Sequence, residues 1–212
     1  MKSILLLAAC AAALTGCAGV EMAVRARATP DFAATERTYA FAGNQSDAAE
    51  GEDADYASAV ARRLSELGYV AAPAQTARYR VALSHDTHPA SVSVAYASCA
   101  GGAPCGTVPP PRAPGFPWPG AKTYVHSLTL RFFDRADGRE VYAVSVVKRD
   151  RERKAPRTIA DLVAAALARA PFASGPQSER GDGDSRNGRT DWKVTLRENG
   201  PRAPPSVIDI EQ

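Results

Sequence analysis

The stretch that decides the fold is YVHSLTLRFFDRADGREVYAVSV, residues 124–146. Apolar and polar side chains alternate on either side of Asp137-Gly138, and this period of two is typical of strands with one buried face. An Asp-Gly pair between two such runs is typical of a tight turn. The stretch therefore predicts a β-hairpin. Its core-facing side chains are Tyr124, His126, Leu128, Leu130, Phe132, Tyr142, Val144 and Val146.

Shorter runs with the same alternation precede the hairpin. Residues 37–41 (RTYAF) end at Gly43-Asn44, which is typical of a turn. Residues 79–83 and 92–96 repeat the alternation on either side of the segment 85–89, which we interpret as a break. These runs predict three further strands.

Two segments have the spacing of helices. Tyr56, Val60, Leu64 and Leu67 recur at helical intervals, acidic residues come before them, and Gly68 stands where a left-handed cap would end the helix. The second segment has an apolar stripe after Thr158, which with Asp161 forms a cap-like start, and Pro171 closes it. Together the elements predict an α+β fold, a mainly antiparallel sheet with both helices packed on one face.

The N-terminus predicts where the protein is located. Lys2 supplies a positive charge, residues 4–13 are apolar, and Leu14-Thr15-Gly16-Cys17 follows. This tetrad resembles a bacterial lipobox, in which Cys17 becomes the first mature residue and carries acyl chains such as palmitate. The alternative is a transmembrane anchor, but residues 3–20 barely reach the required length of about 18 residues and contain small residues at one end.

These observations predict four segments. Residues 1–16 are a signal peptide, 17–34 a lipidated tether, 35–172 the α+β domain and 173–212 a mostly disordered, mobile tail. Within the tail, only residues 192–196 and 207–210 have the composition for extended pairing. Without the signal the chain has 25 basic and 23 acidic residues, a balance that gives no indication of nucleic-acid binding.

The remaining cysteines predict a disulfide. Cys10 is lost with the signal and Cys17 carries lipid, which leaves Cys99 and Cys105 in a Gly/Pro-rich loop. In an oxidising periplasm we expect these two thiols to pair. Closing so short a loop stabilises the fold by roughly 2 kcal/mol.

Three stretches carry a resemblance to a known family: residues 37–41, residues 60–69 (VARRLSELGY) and residues 128–141 (LTLRFFDRADGREV). With the second helix they span residues 35–172, and this part of the chain resembles the bacterial lipoprotein family catalogued as domain of unknown function 4136. The family has no settled activity. The resemblance therefore implies a fold and an envelope location, but no catalytic residue and no cofactor.

Two clusters contain residue types that are common in metal sites and catalytic sites. His85 and His88, with Cys99 and Cys105, are residue types that bind zinc. Positions three apart on a strand face opposite sides, however, and oxidised cysteines are not ligands, so we predict no metal site. Ser84, His85 and Asp86 are the residue types of a catalytic triad, but here they follow one another in the sequence. The members of a triad must contact one another in the folded protein, so this order does not indicate a hydrolase.

Two surface segments have alternative interpretations. The Pro-rich stretch 108–119 either presents Phe116 and Trp118 to a partner or covers the sheet with these rings turned inward, and we favour the cover. Residues 148–154 with Arg157 contain six cations and two acids. Such a run is either a solvated connection or a site for anionic lipid headgroups.

The functional prediction is a non-enzymatic envelope lipoprotein. We expect it to be anchored in the outer membrane through Cys17, facing the periplasm, and to act as an accessory or binding module with an envelope protein or lipid as partner. The alternatives are a small-molecule or lipid carrier, which needs an apolar cavity, and a hydrolase, which needs His85, His88 or His126 beside a nucleophile in a cleft.

Overall fold

The computed structural model describes residues 20–29, 32, 36–42, 51–91, 122–153, 157–169, 189–197 and 205–211. The strands within this part of the chain are β1 (Val20–Ala28), β2 (Thr38–Phe41), β3 (Val70–Ala71), β4 (Tyr79–Pro89), β5 (Tyr124–Asp134), β6 (Glu140–Asp150), β7 (Arg189–Arg197) and β8 (Ser206–Glu211). The helices are α1 (Glu52–Glu66) and α2 (Thr158–Ala166).

The described strands form one sheet in the order β3-β2-β4-β5-β6-β1-β7-β8. Neighbours are antiparallel, except that β2 pairs in parallel with both β3 and β4. Both helices contribute buried side chains to the core on one face of the sheet. The predicted α+β fold is therefore confirmed.

The central hairpin has the predicted register. Leu130 lies opposite Val144, and Leu128 lies opposite Val146. All four side chains are fully buried. The turn contains Gly138 at a φ of 69°, a left-handed conformation that suits glycine.

Helix α1 ends as its sequence predicts. Gly68 has a φ of 81°, its N–H donates to Ser65 O, and the N–H of Tyr69 donates to Leu64 O. This pair of bonds is a Schellman motif, which satisfies carbonyls at the helix end. Buried Tyr69 continues from it into the core.

The interpretation of residues 17–34 as a spacer is wrong for the part that the structure describes. Strand β1 lies between β6 and β7, and Met22 and Val24 are buried in the core. Phe32 is also buried and stacks on Tyr142, with ring centroids 4.8 Å apart. The strand is hard to recognise in the sequence because small Ala26 takes a core-facing position, whereas Arg25 and Arg27 lie on the outer face.

Two further predictions need correction. Strand β4 continues through residues 85–89, where we expected a break, because these residues pair along their whole length with β5. Helix α2 has Arg157 at its N-cap and no capping hydrogen bond from a side chain. The carboxylate of Asp161 accepts a hydrogen bond from Lys148 instead.

The tail segments with the composition for pairing do form strands. Residues 189–197 pair with β1, and residues 206–211 pair with β7. These parts of the tail that was predicted to be mostly disordered are therefore ordered strands, and β8 forms one edge of the sheet. The predicted strand at 92–96 and the Pro-rich stretch 108–119 lie outside the described residues.

The sheet face opposite the helices carries polar pairs beside the buried side chains of Val125 and Val147. Thr129 and Ser145 form a hydrogen bond of 3.0 Å, and Glu140 forms ion pairs with Arg27 and Arg131. These pairs join neighbouring strands on that face.

Candidate functional site

Three polar residues lie side by side on adjacent strands at one end of the helix-covered face. Thr87 of β4 lies opposite His126 of β5, and His126 lies opposite Lys148 of β6. They continue the alternation that buries Leu83, Leu130 and Val144 further along these strands, so they occupy core-facing positions. We call Thr87, His126 and Lys148 the polar layer.

His126 is the centre of the polar layer and is almost fully buried. Its Nε2 lies 3.1 Å from the carbonyl oxygen of Glu152, and its Nδ1 lies 3.0 Å from Oγ1 of Thr87. Because a carbonyl oxygen only accepts, Nε2 carries a proton. In the neutral ring Nδ1 therefore accepts a hydrogen bond from the Thr87 hydroxyl.

Burial lowers the pKa of His126 below its ordinary value, and Lys148 acts in the same direction. The Glu152 carbonyl and the carboxylates of Asp150 and Glu52 oppose this shift without reversing it. The neutral ring is therefore the form that the fold favours.

Lys148 is buried and has two carboxylate partners. Its Nζ lies 2.8 Å from Asp161 Oδ2 on α2 and 3.2 Å from Asp150 Oδ2. Burial alone would raise the pKa of Asp150, but Lys148 and two backbone N–H groups together lower it. An ionic cluster of one lysine and two aspartates thus joins β6 to α2.

His85 lies beside the polar layer, against α1. Its ring stacks on Tyr56, with centroids 4.1 Å apart, and its Nε2 lies 2.7 Å from Asp53 Oδ1. Burial, assisted by Glu52, raises the pKa of Tyr56 to about 12, so its phenol stays neutral. These contacts hold the start of α1 against β4.

A polar cleft opens next to these residues. It has a volume of about 220 Å³. Its lining residues are all polar or charged: Glu52, His85, Asp86, Thr87 and Arg153. Such a lining suits water, an ion or a small polar group rather than an acyl chain.

The structure separates the residues that the sequence places in clusters. His88 pairs with Asp86 at 2.7 Å, away from the pair of His85 with Asp53. Among the described residues, no three His, Cys, Asp or Glu side chains are arranged to hold a metal ion. Cys17, Cys99, Cys105, Phe116 and Trp118 lie outside the described part of the chain, so their predicted roles stay predictions.

The hydrogen bond between Thr87 and His126 allows transfer of a proton from a hydroxyl to a base. A hydrolase also requires donors for the developing oxyanion, so this pair alone does not define one. Sequence reasoning missed Thr87 and Lys148 as partners of His126. The signal that could have identified them is the alternation of core-facing residues, which continues from Leu83 to Thr87 and from Val146 to Lys148.

The neutral state of His126 predicts a dependence of stability on pH. Because its pKa is lower in the folded chain, the unfolded chain binds more protons between the two pKa values, and stability is lost as the pH falls below about 6.5. We expect the Tm to fall between pH 7.5 and 5. Uptake of one proton on unfolding changes the free energy of unfolding by at most about 1.4 kcal/mol per pH unit.

A comparison with His126→Gln isolates this contribution. The variant cannot titrate at this position, so its Tm should fall less than that of the wild type over the same pH range. Parallel thermal melts at several pH values measure the difference. Identical pH slopes for the two proteins would contradict the assignment to His126.

The fold is of the α+β class: a mostly antiparallel sheet is covered by two helices on one face, and the polar layer lies at one end of that face. The family model of domain of unknown function 4136 matches residues 23–172, so the chain belongs to that family. The match begins within β1 and ends just beyond α2.

Distant solved structures are also similar. A PelC dodecamer from Paraburkholderia phytofirmans is 15% identical, with 69% of this chain and 95% of that chain covered and a TM-score of 0.41. A PDZ domain protein from Parabacteroides distasonis is 12% identical, with 90% of this chain and 43% of that chain covered and a TM-score of 0.42. No curated protein matches the sequence. Neither described helix has the length and apolar character needed to cross a bilayer.

Proposed function

We propose that this protein is a lipid-anchored module of the bacterial envelope that binds a partner and catalyses no reaction. Cys17 carries the lipid, and the domain faces the periplasm from the outer membrane. One observation carries the proposal: the lipobox 14–17 ends three residues before β1 begins at Val20. The folded domain thus starts where the mature chain would start.

The character of the polar cleft favours a binding module over a lipid carrier. A carrier encloses acyl chains in an apolar cavity, whereas the side chains around this cleft are polar or charged. The partner is an envelope protein or a lipid. On the alternative in which the Pro-rich stretch 108–119 presents its rings, Phe116 and Trp118 are the candidate contacts for it, and a disulfide between Cys99 and Cys105 would stabilise the loop that carries them.

Replacement of Cys17 by serine tests the anchor. The thiol accepts the lipid, so Cys17→Ser should remain an unlipidated precursor, whereas the wild type should be lipidated and fractionate with the outer membrane. Intact mass and membrane fractionation measure both outcomes. Cys10→Ser is the matched control, because that cysteine lies in the signal and is removed with it. Equal mature masses for Cys17→Ser and wild type would refute the proposal.

A further inference from the structure

We propose that an arginine patch on the outer face of the sheet binds acidic segments of a partner polypeptide. The outer face is the one opposite the helices, and the patch lies at its hairpin end. The members of the arginine patch are Arg27 of β1, Arg80 of β4, Arg131 and Phe133 of β5, and Glu140 of β6. The inference rests on the proposed binding function and names the chemistry of the partner.

The strand register brings the three arginines together. Arg131 lies opposite Ala143, and Ala143 in turn lies opposite Arg27. Arg80 lies opposite Phe133 in the next outward-facing row. Neighbouring strands are about 4.8 Å apart, so the backbones at Arg27 and Arg131 are separated by roughly 10 Å. The small alanine between them covers neither guanidinium group.

Phe133 and Glu140 hold the guanidinium groups in place. The guanidinium carbon of Arg131 lies 5.0 Å from the centre of the Phe133 ring, and that of Arg80 lies 6.0 Å from it. Glu140 forms ion pairs with Arg27 and Arg131. An arginine that is already stacked or paired has less conformational freedom to lose on binding, so the patch is pre-organised.

The described residues around the patch do not cancel its positive charge. Three acids lie at the hairpin end of the described chain, and each is paired with an arginine. The pairs are Asp134 with Arg78, Asp137 with Arg139, and Glu140 with Arg27 and Arg131. Arg80 and Arg135 are two further cations, so six arginines against three acids leave a formal charge of +3. The flanking residues add one cation and one acid on each side: Arg37 and Glu36 just before β2, and Arg189 and Asp191 on β7.

The patch is exposed and lies away from the proposed lipid anchor. The side chains of Arg27 and Arg131 are 50% and 48% exposed, and Arg80 is also exposed. Strand β1 begins at the other end of the sheet, and Arg27 lies seven residues beyond Val20, or roughly 23 Å at the rise of a strand. This distance exceeds the Debye length of about 8 Å, so the charges of a leaflet beside the start of β1 are screened at the patch. We therefore place the partner in the periplasm rather than in the membrane.

Carboxylates are the groups that this arrangement of arginines recognises. Arginine presents a planar fork of N–H donors that binds a carboxylate through two parallel hydrogen bonds. A segment rich in Asp and Glu supplies several carboxylates along one chain, which matches arginines that lie on three strands of the sheet. Complementary charge speeds association and disfavours basic partners. The patch thus suits an acidic segment of a periplasmic protein.

Binding of a fluorescent octaglutamate peptide tests the proposal. The full-length lipidated protein is held in phosphatidylcholine vesicles, which carry no net charge, and the fluorescence anisotropy of the peptide is followed in a titration. We expect saturable binding that weakens as the salt concentration rises, because the arginines are exposed. An octalysine peptide is the control for charge and should not bind. No binding of octaglutamate at low salt, or equal binding of octalysine, would overturn the proposal.

Matched variants locate the binding surface. Arg80→Ser and Arg131→Ser should each weaken binding about fivefold, the equivalent of about 1 kcal/mol for an exposed ion pair. Arg62→Ser removes the same charge from an exposed position of α1, the helix on the other face, so this variant should bind as the wild type does. An equal loss for Arg62→Ser would assign the binding to net charge and overturn the patch.

Arginine footprinting of the wild type gives a measurement that does not depend on the folding of a variant. With octaglutamate bound, phenylglyoxal should modify Arg80 and Arg131 more slowly, whereas the rate for Arg62 should not change. Unchanged rates at Arg80 and Arg131 would overturn the proposal. The intact mass reports the lipid separately. A mass without lipid contradicts the anchor, whereas lipidated protein that does not bind the peptide contradicts the patch, so the two failures are distinguishable.

Discussion

Asp161→Ala is expected to lower the free energy of unfolding by about 3 to 5 kcal/mol. The substitution removes a carboxylate that is fully buried and leaves the buried Lys148 ammonium without its nearest partner. Loss of one member of a buried ion pair costs this much when the remaining charge stays desolvated and has no other partner. Asp150, 3.2 Å from the Lys148 ammonium, retains part of the compensation, so we expect the loss to lie at the lower end of this range. Equilibrium unfolding in urea measures the change.

The double variant Lys148→Met/Asp161→Leu is the informative control. It removes both charges of the pair and fills the space with apolar groups, while Asp150 is partly exposed and keeps its hydrogen bonds from two backbone N–H groups. The stability of the double variant should therefore lie within about 1 to 2 kcal/mol of the wild type. Asp161→Asn keeps an acceptor oxygen for Lys148, so its stability should lie between that of Asp161→Ala and that of the double variant. If Asp161→Ala unfolds at the same urea concentration as the wild type, the pair does not contribute as described.

Leu130→Ala is expected to cost about 2 to 5 kcal/mol. Leu130 is fully buried between Leu83 of β4 and Val144 of β6. Truncation removes apolar contacts and leaves a cavity in the centre of the sheet's helix-covered face. This is a large share of the 5 to 15 kcal/mol that stabilises an ordinary domain.

Thr129→Ala is the matched control for Leu130→Ala because its side chain lies on the opposite face. It loses the hydrogen bond to Ser145, which is worth about 1 kcal/mol. A slip of one residue in strand register would exchange the two faces. A larger loss of stability for Thr129→Ala than for Leu130→Ala would therefore contradict the register of β5.

Only part of the site could be predicted from the sequence. His126 was predicted to face the core because it shares the period of Leu128 and Leu130. Its partner Thr87 was missed because residues 85–89 contain polar side chains and end at a proline, so they do not look like a strand. The long pairing with β5 keeps them extended. The sequence predicts Lys148 to be part of an exposed basic run, because lysine is almost never buried without a charged partner. Its partner Asp161 belongs to a helix, so the pairing is not visible in the strand pattern.

Local patterns in the chain were sufficient to predict the hairpin of β5 and β6, the end of helix α1 at Gly68 and the face of the sheet on which the helices pack. Each depends on neighbouring residues, since strand alternation, helical spacing and left-handed glycine conformations arise from backbone geometry within a few positions. The place of β1 in the sheet and the burial of Lys148 were decided by tertiary structure. Strand β1 lacks a strong local pattern and is stabilised by β6 and β7, which lie more than 100 residues away in the chain. Lys148 is buried because Asp161 supplies the compensating charge, and that compensation exists only once α2 has packed on the sheet.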